Sequence, residues 1–117
     1  MKIYISGPIT GLPQAKARAN FAAAADQIRR KGHEPVNPCL TQELLDPKTT
    51  SWSQYMVVCL ALLRVCDAIV FLPGAARSKG SNMEAFEAMN HNKEIFMSIE
   101  EIYEERGGME QCKMSNG

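Results

Sequence analysis

The sequence predicts a single α/β domain, a Rossmann-like or flavodoxin-like three-layer sandwich with a parallel sheet of four to five strands in the order 2-1-3-4. Three observations lead there. Short apolar segments rich in β-branched residues alternate with longer segments of helical period. Residues 67–72, Asp-Ala-Ile-Val-Phe-Leu, are continuously apolar after the first, as in a parallel strand covered on both faces. The 117 residues, 45% of them hydrophobic, suffice for one core and are too few for two. Right-handed crossovers place the second and third strands on opposite sides of the first, with a switch point between the first and third.

Ile3-Tyr4-Ile5 is the first strand. It runs into Ser6-Gly7-Pro8-Ile9-Thr10-Gly11-Leu12-Pro13, where two glycines and two prolines in eight residues forbid regular structure. Ala15, Ala19, Ala22, Ala23, Ala25 and Ile28 recur at helical spacing over 14–31, and Gly32 is a C-terminal stop. Glu34-Pro35-Val36-Asn37-Pro38 reads as a weak second strand, restricted to an edge by its prolines. Residues 39–51 form a long polar connection with one helical turn near 41–45, and connections of that length often serve as lids.

Residues 52–65 are a helix with an almost all-round apolar pattern, which implies burial on more than one side. After the strand at 67–72, Pro73-Gly74 breaks the chain. A third helix is expected over 81–90, a fourth strand over 94–97 and a last helix over 99–105. The domain is thus expected to fill residues 1–106, with 107–117 a polar, glycine-containing tail.

Charge narrows the partners. Thirteen basic and thirteen acidic residues cancel, so no global field draws in a nucleic-acid polymer or an anionic membrane, and any anion must be bound locally. Cys39, Cys59, Cys66 and Cys112 form no C-x-x-C and no zinc-like set with the two histidines. They read as reduced thiols, and neither metal nor cofactor is expected. With a strand at the very start and no long apolar run, a cytoplasmic location is expected.

The chemistry centres on Arg77-Ser78-Lys79-Gly80-Ser81-Asn82-Met83-Glu84, a polar loop between the buried third strand and the third helix. In open α/β sheets ligands bind at such loops. Glu84 therefore has two readings. It is either a functional carboxylate or the second half of a capping box in which Ser81 is the N-cap.

Tyr4-Ile5-Ser6-Gly7-Pro8-Ile9-Thr10-Gly11, followed in order by Ser78-x-Gly80-x-x-x-Glu84, resembles the nucleoside 2-deoxyribosyltransferase superfamily over about residues 1–98. More narrowly it is similar to a branch of small phage and bacterial proteins related to deoxynucleoside 5′-monophosphate N-glycosidases. The resemblance implies cleavage of the N-glycosidic bond of a deoxynucleotide or deoxynucleoside, with Glu84 attacking the anomeric carbon. It also implies that Ser6, Gly7, Ile9 and Gly11 line the base and sugar pocket. Ser78 stands where superfamily members acting on free nucleosides resemble one another in having an acid, and where the nucleotide-hydrolysing branch has serine. With Arg77 and Lys79 beside it, and Gly80 and Ser81 following, the loop suits a 5′-phosphate; solvated surface charge is the alternative.

One departure stands out. Relatives commonly have Tyr-x-x-x-Asp in the second helix, whereas this chain has Tyr55 followed by Cys59, which supplies neither the charge nor the acceptors of a carboxylate. Asp67, at the amino end of its strand, is expected too far from Glu84 to compensate. Two alternatives to the enzyme are therefore carried: a nucleotide-binding or sensing module that lost its chemistry, and an oligomeric scaffold without ligand. In each case the apolar helix 52–65 is expected to build a homodimer or higher homo-oligomer.

Overall fold

The computed structural model describes residues 1–105. The elements are β1 (Lys2–Ser6), α1 (Gln14–Arg30), β2 (Glu34–Val36), α2 (Trp52–Arg64), β3 (Ala68–Phe71), α3 (Lys79–Asn90) and β4 (Glu94–Phe96), with 3-10 turns at Pro38–Glu43, Ala75–Arg77 and Ile99–Glu101. The sheet is all-parallel in the order β2-β1-β3-β4, with Ser6 opposite Phe71 and Tyr4 opposite Val36. The expected architecture and strand order are found.

Strand alternation divides the core in two. Ile3, Ile5, Ala68, Val70 and Phe96 face α1, where Phe21, Ala24, Ala25 and Ile28 cover them. Tyr4 and Ile69 face the other way, against Cys59 and Leu63 of α2 and Ala88 of α3. These are the two faces of a three-layer sandwich. β2, which carries Pro35, lies at the edge.

Three boundaries differ from expectation. The chain over 99–105 is not a helix: one 3-10 turn is followed by extended backbone. Ile99 and Ile102 bury against α1, while Lys31 Nζ takes the carbonyls of Ile99 and Ile102 that a helix would need. The turn expected near 41–45 starts at Pro38, where Asn37 Oδ1 accepts from the Cys39 N–H at 3.0 Å. α3 starts at Lys79, two residues early. The expected tail at 107–117 lies outside the described residues.

α2 is capped by Ser51, whose hydroxyl accepts from the Gln54 N–H while the Gln54 side chain accepts from the Ser51 N–H. Its Met56, Cys59 and Leu63 are buried in this chain's own core, leaving Val57 at 68% exposure and Trp52 as its exposed large apolar residues, while Phe86 of α3 is 65% exposed. Among the described residues no helix is long and apolar enough to cross a membrane.

Candidate functional site

β1 and β3 are neighbours whose onward connections diverge, so their carboxyl ends open a crevice. Gly7, Ile9 and Thr10 enter it after β1, and Ser78, Gly80, Ser81 and Glu84 enter it after β3. Trp52, Met56 and Cys59 of α2 close the third side. The cavity they enclose is about 40 Å³.

Glu84 is 6% exposed, and both of its oxygens are held. Tyr4 Oη donates to Oε2 at 2.6 Å, and Ser6 Oγ donates to Oε1 at 2.7 Å. Ser81 Oγ lies 2.9 Å from Ser6 Oγ. Ser6 has one proton and the carboxylate can only accept, so Ser81 donates to Ser6 and the chain runs Ser81 to Ser6 to Glu84. Tyr4 and Ser6 reach the same carboxylate because they are two apart on one strand and share a face.

This geometry overturns the capping-box reading. The N-cap of α3 is Ser78, whose Oγ accepts from the Ser81 N–H at 3.2 Å; Ser81 lies inside the helix and Glu84 in its second turn. Glu84 bonds to β1 across the sheet and not to its own helix end. Its ionisation is also set differently from what a helix terminus would give: burial pushes its pKa up, and the bonds from Tyr4 and Ser6 oppose that in part.

The remaining sequence candidates gather round the same crevice. Gly7 permits the close approach of β1's end to β3, because a Cβ there would meet the Leu72 Cβ at 3.0 Å. Gly11, Arg77, Ser78, Lys79 and Gly80 border a second cavity of about 670 Å³, joined by Trp52 and Thr10. Ile9 and Gly11 also border a third, of about 450 Å³, with Gln14, Gln42 and Tyr55. Among the described residues neither Arg77 nor Lys79 makes an ion pair. The Lys79 ammonium instead sits 4.7 Å from the centroid of the Trp52 ring.

Cys59 occupies the wall of the Glu84 cavity, beside Tyr4. Burial raises its thiol to about 11, so it remains neutral at physiological pH. Asp67 is at the far end of the strands, accepting from the Lys2 N–H at 2.8 Å. Among the described residues no group of three or more His, Cys, Asp or Glu side chains is placed to hold a metal ion.

Sequence reasoning missed Tyr4, Trp52 and Met56 as site residues. For Tyr4 a signal was present: a polar-tipped side chain two before Ser6 on a buried strand must find a partner on the face that Ser6 shares. Trp52 and Met56 carried none, since their position depends on how α2 packs.

Fold and site together define a small α/β protein with a buried, doubly hydrogen-bonded carboxylate at the switch point of its sheet. Its structure is similar to a 2-desoxiribosyltransferase from Leishmania mexicana, with a TM-score of 0.57 and 25% sequence identity over 80% of this chain and 61% of that chain. The chain therefore spans less than two thirds of that neighbour's length, and the likeness supports the superfamily resemblance. The model of a domain of unknown function, DUF4406, matches residues 1–99, and the chain belongs to that family. No curated protein sequence matches it.

Proposed function

We propose that the protein cleaves the N-glycosidic bond of a deoxynucleoside 5′-monophosphate or deoxynucleoside, by hydrolysis or transfer, within a domain spanning residues 1–106. The observation that carries this reading is the Glu84 carboxylate, buried at the crevice and fixed through both oxygens by Tyr4 and Ser6. In the reaction a Glu84 oxygen bonds to the anomeric carbon as the carbon–nitrogen bond breaks, and the base departs with the bonding pair and takes a proton from solvent. Water or a second base then attacks the same carbon and releases Glu84. The adjoining cavity with Arg77, Ser78 and Lys79 favours a 5′-phosphate, and with it the nucleotide-hydrolysing branch of the superfamily.

A second reading has a specific observation behind it. Cys59 is neutral where relatives commonly have an aspartate, which fits a binding or sensing module that keeps the pocket without turnover. Incubation with a panel of deoxynucleotides and deoxynucleosides, with and without an acceptor base, separates the two. Base release that Glu84→Gln lowers by several orders of magnitude supports the enzyme. Tight nucleotide binding without base release supports the module, and thermal stabilisation by no nucleotide refutes both.

A further inference from the structure

We infer that Trp52 and Lys79 form a phosphate-responsive partition that makes the site selective for 5′-monophosphates over nucleosides, an inference that rests on the glycosidase reading above. Trp52 and Thr10 border all three cavities and so form the part of the wall common to them, with Ser78 and Gly80 also between the first two and Ile9 between the first and third. The Glu84 cavity, at about 40 Å³, is far below the roughly 300 Å³ at which small-molecule pockets begin. A sugar ring cannot enter it as it stands. For an anomeric carbon to reach Glu84 the wall must move.

Of the two residues common to all three cavities, Trp52 is the movable one. It is the first residue of α2, it is 38% exposed, and the helix end behind it is fixed by the Ser51 and Gln54 cap, so its side chain can swing while the helix stays. The contact across its ring is the Lys79 ammonium. A cation over an indole is held weakly where water has access, whereas a phosphate offers a lysine full opposite charge and a charge-assisted hydrogen bond.

The 670 Å³ cavity is where such an anion would arrive. Arg77 and Lys79 border it without ion-pair partners among the described residues. Ser78 uses an oxygen lone pair on the Ser81 N–H, which leaves its hydroxyl proton to donate. A phosphate bound there draws Lys79 off the indole, the ring rotates, and the three cavities join. A nucleoside has nothing to exchange for the Lys79 contact, so it does not favour the open form and reaches Glu84 only in the fraction already open.

Trp52 is the chain's one tryptophan, so its fluorescence reports the partition directly. The wild type is titrated with deoxynucleoside 5′-monophosphates, the matching deoxynucleosides and inorganic phosphate, with emission and acrylamide quenching recorded. Monophosphates and phosphate are expected to shift emission to longer wavelength and increase quenching, and nucleosides at the same concentrations are not. Lys79→Met should abolish the response and lower the monophosphate-to-nucleoside ratio of kcat/KM at least about tenfold, the scale of one charge-assisted bond. Lys79→Arg should keep the response. Trp52→Ala, with the wall removed, should also reduce that ratio. An emission unmoved by phosphate and monophosphates, or a selectivity unchanged in Lys79→Met, overturns the inference. If base release occurs while Trp52 stays unmoved, this inference fails and the glycosidase reading stands. If no base is released from any substrate, the glycosidase reading fails, and the titration still decides whether the partition responds to phosphate.

Discussion

Tyr4→Phe tests the carboxylate's setting. Tyr4 is fully buried, and among the described residues its hydroxyl is the one donor to Glu84 Oε2, at 2.6 Å. Phenylalanine fills the same space apart from one oxygen, so the substitution removes a bond and opens almost no cavity. A hydrogen bond to a charged group contributes about 1.5–3 kcal/mol. At about 4 °C per kcal/mol for a domain of this size, Tm should fall by roughly 6–12 °C at neutral pH. The pH dependence follows from signs. Burial raises the pKa of Glu84 and the Tyr4 bond lowers it, so removing the bond raises it further. For a carboxylate whose folded pKa lies above its unfolded value, stability is lost as pH rises from the unfolded value through the folded one. Tyr4→Phe extends that loss to higher pH, so its cost is largest at neutral pH and shrinks toward pH 4, where Glu84 is increasingly protonated in both states. On the proposed mechanism base release needs ionised Glu84, so its acid limb should be displaced upward. The assays are thermal unfolding from pH 4 to 8 and a pH profile of kcat/KM, with a double-mutant cycle against Glu84→Gln. Equal Tm values and an unmoved acid limb, or strictly additive effects in the cycle, would refute the claim that Tyr4 acts through Glu84.

Two further predictions concern α2. Cys59→Asp should raise base release, at a cost in stability because the site is 2% exposed and flanked by Tyr4, Leu63 and Ile69; a folded variant with no gain would favour the binding module. The apolar surface that Val57 and Phe86 leave outward should build a homodimer through α2, with α3 alongside, so light scattering at micromolar concentration should give twice the chain mass and Phe86→Asp should give monomers. A wild-type monomer would dispose of that interface.

Much of the fold was written in local pattern. The continuous apolar run of β3, the alanine-rich helical period of α1 and the Pro35 of β2 are each read within a few positions of the chain. The strand order followed from crossover handedness. The boundaries that failed were those where distant contacts decide. Ser81 and Glu84 have capping-box spacing, but Ser78 takes the cap and β1 takes both side chains. Residues 99–105 have helical composition, but Lys31 ties their carbonyls to the end of α1.

The sequence by itself determined the class of fold, the loops that flank the crevice and the residue types available there. Only the tertiary structure decided which of them meet. The pairing of β1 with β3, Ser6 opposite Phe71, brings Tyr4 and Ser6 onto a glutamate about 80 residues away in the chain, at separations of 80 and 78. Period and propensity act over one or two turns of chain, whereas the position and charge of Glu84 depend on burial and on hydroxyls supplied across the sheet.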